Sequence, residues 1–260
     1  MQIVDYKAVF ISIEDCLRNY YKLSIKEFQL KFADFTSLKY QARSDQFYFD
    51  HIKMIVFYSG FNADTVTKKL PIIKKHFPDF STVAKYDETN VSEILTDKDM
   101  IRNRLKVEAV VKNAKRFVKL IEKHGSFYKY LESFAPQASF LNLMLLKEEL
   151  ECQFEYLGEI TGYHFLMEIG LDVMKPDRVI SRIFKRLGLI ESDKQLLKTI
   201  FLGREFAKAT GYPIRYIDIV FVTYGQQGDR TKSMDGICLE NKPKCQFCGV
   251  KIFCNYDYST

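Results

Sequence analysis

Residues 154–189 read FEYLGEITGYHFLMEIGLDVMKPDRVISRIFKRLGL. Gly158 and Gly162 bracket a short polar turn, LGEITG (157–162), between two apolar runs. Glycine reaches φ > 0 and carries no Cβ, so the chain can turn tightly there and lie close to another backbone. The helix expected from Tyr163 onward starts with amides that have no partner inside it, and such amides hold anions. Alone, the pattern also fits an ordinary turn between helices. Further on, Pro176–Asp177 opens another helix, where Asp is a frequent N-cap. Val179, Ile180, Ile183, Phe184 and Leu187 then recur at helical spacing and mark its buried side.

The same period runs through the rest of the chain. In RNRLKVEAVVKNAKRFVKLIEKHG (102–125), Val107, Val110, Val111, Ala114, Phe117, Val118 and Ile121 share one face. Gly125 ends this helix, and Ser126 caps the next, which stops before Pro136. Amphipathic patterns also cover 47–58, 63–76, 89–96, 139–153, 163–170, 178–187, 192–208 and 213–224. Asp64 is expected to cap a helix in the second of these. Only the first dozen residues and Ile214–Tyr224 have the β-branched and aromatic content of a strand. The chain reads as all-α.

Hydrophobic residues make up 47% of the 260, enough to bury a sizeable core. The longest apolar-looking run, YIDIVFVTY (216–224), is nine residues long and contains Asp218, too short to cross a bilayer. A cytoplasmic protein without a membrane partner is expected. The net charge of +6 permits a nucleic-acid partner without requiring one.

Four of the six cysteines lie in CLENKPKCQFCGVKIFC (238–254), spaced C-x6-C-x2-C-x5-C at Cys238, Cys245, Cys248 and Cys254. In a reducing compartment such clustering points to metal or redox chemistry rather than disulfides. Four thiolates close a shell around zinc or hold an iron–sulfur cluster. Cys16 and Cys152 are expected to be buried thiols.

The cysteine spacing, with KPKC at 242–245, resembles the 4Fe–4S loop at the C-terminus of endonuclease III and the adenine glycosylase MutY. Residues 154–189 resemble the helix-hairpin-helix and Gly/Pro…Asp element of the HhH-GPD superfamily of base-excision DNA glycosylases. MIRNRLKVEAVVKNAKRFVKLIEKHGSFYKYLESF (100–134) and FEYLGEITGYHFLMEIGL (154–171) are similar to 3-methyladenine DNA glycosylase I, a resemblance that covers about 60–175.

The resemblance implies an all-α, two-lobed HhH-GPD fold with a C-terminal 4Fe–4S loop, favoured over zinc. Its parts would be an N-terminal segment (1–44) packing with the C-terminal lobe, a helical barrel (45–155), hairpin and catalytic-Asp helices (156–237) and the cluster loop (238–254). Asp177 would be the catalytic carboxylate. Gly158, Ile160, Thr161 and Gly162 would bind DNA, Phe61 would wedge into the gap left by a flipped base, and Lys242, Lys244 and Lys251 would face phosphates. Phe57, Tyr58, Tyr163 and His164 would line the base pocket. Gly162-Tyr163-His164 stands where bifunctional members carry a lysine, which implies a monofunctional glycosylase.

The implied partner is double-stranded DNA with a damaged base, bound by a monomer, and the implied substrate is an alkylated purine such as 3-methyladenine. Another lesion, oxidised or mismatched, and a non-catalytic iron–sulfur DNA-binding protein are the alternatives. The chain departs from 3-methyladenine DNA glycosylase I in three places. The N-terminal zinc-binding and Tyr-His-Asp segment is absent, the base-recognising glutamate falls near Ile55, and that enzyme lacks the cysteine loop.

Overall fold

A computed structural model of the chain describes residues 5–228 and 234–256, and every regular element among them is helical. The helices run α1 (Tyr6–Tyr20), α2 (Ile25–Lys31), α3 (Ala33–Thr36), α4 (Asp45–Tyr58), α5 (Ala63–Lys68), α6 (Leu70–His76), α7 (Phe80–Val83) and α8 (Glu88–Thr96). They continue as α9 (Arg104–His124), α10 (Phe127–Glu132), α11 (Phe140–Gln153), α12 (Thr161–Glu168), α13 (Arg178–Arg186), α14 (Leu196–Thr210) and α15 (Ile214–Gly225). Two compact units result: Met1–Lys39 with Asp172–Thr260, and Tyr40–Leu171. The hairpin at 157–162 lies in the contiguous second unit rather than with the segment after 156, because α12 packs on α4 and α11. No helix of the described residues is long and apolar enough to cross a membrane.

In the unit Tyr40–Leu171, α9 is the organising helix. Asn103 caps its start, accepting from the Lys106 amide at 3.2 Å. Val107, Val110, Val111, Ala114 and Phe117 form its buried face, against α4, α7, α8 and α10. Phe117 stacks on Phe127 with ring centroids 4.4 Å apart, and Phe49, Phe80 and Phe154 surround the pair. The fully buried rings among these, Phe49, Phe117 and Phe127, each stabilise the unit by about 1.5–3 kcal/mol.

Gly125 closes α9 at φ +84°, in the left-handed region. An added Cβ would meet only the Lys129 side chain, at 3.7 Å, so the cost of a side chain is in the backbone. Gly125→Ala is expected to lower stability by about 1–2 kcal/mol, read as a shifted denaturation midpoint at unchanged slope.

Two helix boundaries differ from the sequence reading. The pattern at 63–76 is split into α5 and α6, with Pro71 in the first turn of α6, where a missing N–H does least harm. Asn62, not Asp64, caps α5, accepting from the Asp64 amide at 2.9 Å. The helix expected from 192 starts at Leu196, because the Gln195 side chain folds back to accept from the Glu191 amide at 2.7 Å.

In the other unit, α1 packs on α14 and α15, and α13 packs on both. Phe10, Phe184, Phe206 and Phe221 meet at the centre, with Phe206 and Phe221 5.1 Å apart. The described part of the first strand-like stretch runs into helix α1 and the second lies in α15; residues 1–4 lie outside the described residues. Val9, Phe10, Ile13 and Leu17 in one, and Ile214, Ile217, Phe221 and Tyr224 in the other, are buried at a helical period, which overrides β propensity. Beyond α15 the amides of Ile237 and Cys238 both bond the Tyr224 carbonyl at 2.8 Å. The chain then makes two short 3-10 turns, Cys245–Phe247 and Lys251–Phe253.

Candidate active-site residues and a thiol-lined cavity

Asp177 is the N-cap of α13. Its Oδ1 accepts from the amides of Val179 and Ile180 at 2.9 and 3.0 Å. Lys175 Nζ lies 3.8 Å from the other oxygen, Oδ2. The α13 N-terminus and its two amides direct partial positive charge at this side chain. The side chain is 23% exposed, so Oδ2 is within reach of a ligand or water.

The hairpin closes with local bonds. The Gly162 amide reaches the Gly158 carbonyl at 2.9 Å, and the His164 amide reaches Ile160 at 3.2 Å. The Thr161 hydroxyl donates back to the Tyr156 carbonyl at 2.6 Å. Neither Gly158 nor Gly162 takes φ > 0, against the sequence reading. Gly162 is needed for closeness instead: a Cβ there would lie 3.3 Å from both the Leu157 carbonyl and Lys147 Cε. Gly158 is less constrained, with the Glu151 carboxylate 3.9 Å away. Two of the N-terminal amides of α12 are thus used within the turn, leaving the segment around Ile160 and Thr161 as the part able to face a phosphate.

Phe61 is 38% exposed on the turn after α4. Tyr58 is half-buried, its hydroxyl 3.0 Å from that of Thr67. Phe57 is fully buried with its ring 5.7 Å from Phe77, so it packs the core rather than presenting a binding surface. Tyr163 is nearly buried, with its hydroxyl on Met144 Sδ at 3.6 Å and the Lys147 ammonium 5.1 Å from its ring. His164 is half-buried, 3.4 Å from Glu168. Hence Tyr58 and His164 keep surface to offer, whereas Phe57 and Tyr163 are buried.

Cys238, Cys245, Cys248 and Cys254 line one cavity, walled also by Ile183, Ile237 and Val250. Arg186 donates to Cys238 Sγ at 3.2 Å, and the Tyr224 hydroxyl lies 2.8 Å from Cys248 Sγ. Burial raises the Cys238 thiol, an effect Arg186 opposes, and burial also raises Cys254. Among the described residues no group of three or more His, Cys, Asp or Glu is arranged to hold a metal ion.

Arg186 and Tyr224 gave no signal in the sequence, since a buried helical Tyr and a basic residue on α13 look ordinary. Cys16 is partly buried and pushed up to about 11 by burial, whereas Cys152 is exposed, contrary to expectation. Lys244 bonds the Tyr20 hydroxyl at 2.7 Å and pairs with Asp235 at 3.8 Å, so it is already engaged.

Comparison with known proteins gives these elements a context. A DNA-3-methyladenine glycosylase of Haemophilus influenzae is 26% identical over 130 residues, 44% of this chain and 70% of that protein. The fold matches the 8-oxoguanine glycosylase/lyase of Methanocaldococcus jannaschii, solved with a 15mer DNA containing 8-oxoguanine, at a TM-score of 0.55 and 18% identity, over 80% of this chain and 94% of that one. It also matches the 8-oxoguanine DNA glycosylase of Thermotoga maritima at a TM-score of 0.56 and 18% identity, over 83% and 95% of the two chains. Residues 39–173, more than half of the sequence, fit the family model for methyladenine glycosylase, and the chain therefore belongs to the methyladenine glycosylase family.

Proposed function

We propose that the protein is a monofunctional DNA N-glycosylase that flips out an alkylated purine, 3-methyladenine above others, and hydrolyses its glycosidic bond to leave an abasic site. The observation that carries this reading is the family match over 39–173, a span that includes Phe61 and the hairpin. In this reading the hairpin amides near Ile160 and Thr161 hold the DNA backbone. Phe61 fills the gap in the stack, and the extruded base lies against Tyr58 and His164. A cationic alkylpurine is attracted by aromatic faces and departs with little acid assistance.

Asp177 supplies the anion. Its Oδ1 is committed to the α13 amides, so Oδ2 is the atom that faces the reaction. There it stabilises the positive charge that develops on the sugar and orients the attacking water. At Ile55, where relatives place a base-recognising glutamate, the side chain is apolar and 4% exposed, so base recognition in this chain rests on other groups.

The thiol-lined cavity supports a 4Fe–4S cluster on Cys238, Cys245, Cys248 and Cys254. All four cysteines line a shared cavity, a guanidinium is directed at the Cys238 sulfur and the wall is apolar, a donor set suited to clustered iron. When bound, the cluster would fold the 238–254 loop, and no step of the reaction runs through it.

A panel of lesion duplexes tests the substrate, with released bases identified by mass. Release of 3-methyladenine supports the reading. Release of 8-oxoguanine alone would favour the second reading, an oxidised-base glycosylase, which the wide coverage of the two 8-oxoguanine enzymes makes worth testing. Borohydride added during turnover is expected to trap no covalent protein–DNA complex. A trapped complex that disappears in Lys175→Ala would show instead that the Lys175 side chain beside Asp177 acts, as its neutral amine, as a nucleophile.

A further inference from the structure

Lys106 sits in the first turn of α9 with its side chain buried, 3% of the residue being exposed. Its ammonium donates to the Val56 carbonyl and to the Ser59 carbonyl, the latter at 2.6 Å. It also lies 5.1 Å from the ring centre of Phe61 and 4.6 Å from that of Tyr156. Val56 and Ser59 belong to the C-terminal end of α4, where a cation is favoured. From there the chain turns through Gly60 at φ +71°, and the Phe61 amide returns to the Tyr58 carbonyl at 3.2 Å. Lys106 thus ties down the turn that carries Phe61.

On its other side Lys106 faces Tyr156, a non-glycine residue at φ +66° just before the hairpin. The neighbouring Glu155 is held through both backbone groups by Asn113: Nδ2 donates to the Glu155 carbonyl at 3.0 Å, and Oδ1 accepts from its amide at 2.8 Å. Asn113 is buried and stands two turns after Lys106 on the same face of α9. One helix face therefore grips both the Phe61 turn and the bend that leads into LGEITG.

An apolar side chain would fill this position at lower desolvation cost than a buried cation. Burial pushes the ammonium down to about 8. A charge kept against that cost, between two rings flanking separate loops, points beyond simple packing. We infer that Lys106 is a positioning residue, which fixes the Ser59–Phe61 turn and the Tyr156 bend in one register so that Phe61 enters the duplex at a set distance from the backbone that the hairpin holds. The inference rests on the reading of Phe61 as the wedge.

The test uses the full chain and a duplex carrying a tetrahydrofuran abasic-site analogue with 2-aminopurine opposite it. The 2-aminopurine fluorescence rises when that base is unstacked. Wild type raises the signal and Phe61→Ala loses most of the rise. Lys106→Met is expected to keep duplex affinity within about threefold, since phosphate contacts dominate affinity, while losing the rise to the level of Phe61→Ala. Lys106→Arg is expected to restore most of it, and Phe61→Ala/Lys106→Met to fall no further than Phe61→Ala.

A full signal from folded Lys106→Met overturns the inference. If Lys106→Met does not fold, Tyr156→Leu decides: a reduced signal supports the inference and an unchanged one overturns it. If Phe61→Ala itself leaves the signal unchanged, the wedge reading fails and the inference falls with it. A loss in Phe61→Ala with none in Lys106→Met sinks the inference alone.

Discussion

Asp177→Asn protein is expected to bind lesion-containing duplex as tightly as wild type and to release the damaged base about 10²–10⁴-fold more slowly. The substitution separates the two roles of this residue. Asn caps a helix about as well as Asp, and its side-chain oxygen can still accept from the Val179 and Ile180 amides. The fold should therefore survive, with the loss limited to about 0.3–1 kcal/mol of charge–dipole attraction. What disappears is the anion, and with it the stabilisation of a cationic sugar. An alkylpurine with a weak glycosidic bond should sit toward the lower end of the range. The measurement is single-turnover base release, beside a melting curve for each protein. Wild-type rates in Asp177→Asn would place the working carboxylate elsewhere.

The second large effect concerns the thiols. Protein purified without oxygen is expected to be brown and to carry about four irons and four sulfides per chain. Cys248→Ser is expected to be colourless and to lose most of that iron. The loop around the site has little regular structure. Its regular structure is two three-residue turns, and it is held by the Tyr224 carbonyl, the Arg186 guanidinium and the bond from the Asn255 amide to the Arg186 carbonyl at 2.6 Å. Structural metal sites can contribute on the order of 10 kcal/mol to the folding of segments this small. Limited proteolysis of Cys248→Ser should therefore cut within 238–254 while the helices stay resistant. Zinc without iron in the wild type would replace the cluster with a zinc ion held by the same four thiolates.

Much of the architecture was legible because its signals are local. The buried face of α9, the stop at Gly125 and the Ser126 cap are all read within a few turns, and the structure keeps each in its expected role. The four cysteines are likewise close in sequence. What stayed hidden depends on partners far along the chain. Lys106 looked like one more basic residue, and its carbonyl acceptor on Val56 is fifty residues away. Phe57 was expected to line the base pocket, and only burial shows it to be a core ring, while Phe61 is the one presented. Of the two properties expected of the hairpin glycines, the positive φ is absent, while the missing Cβ is what Gly162 uses. Gly162 is crowded by the Leu157 carbonyl within the turn and by Lys147 of α11, and the second contact, between two helices, is one that no turn rule contains.

One unit is continuous, 40–171, while the other is assembled from 1–39 and 172–260. Ribosomes add about 5–20 residues per second, and domains generally fold as units as they emerge. The continuous unit is complete in sequence before the other has more than α1–α3. Those three helices then wait on the order of ten seconds for α13–α15 to be made, with Phe10, Ile13 and Leu17 lacking the core that will cover them. Throughout synthesis of the 40–171 unit, α1 thus presents an apolar face whose covering core has yet to be made.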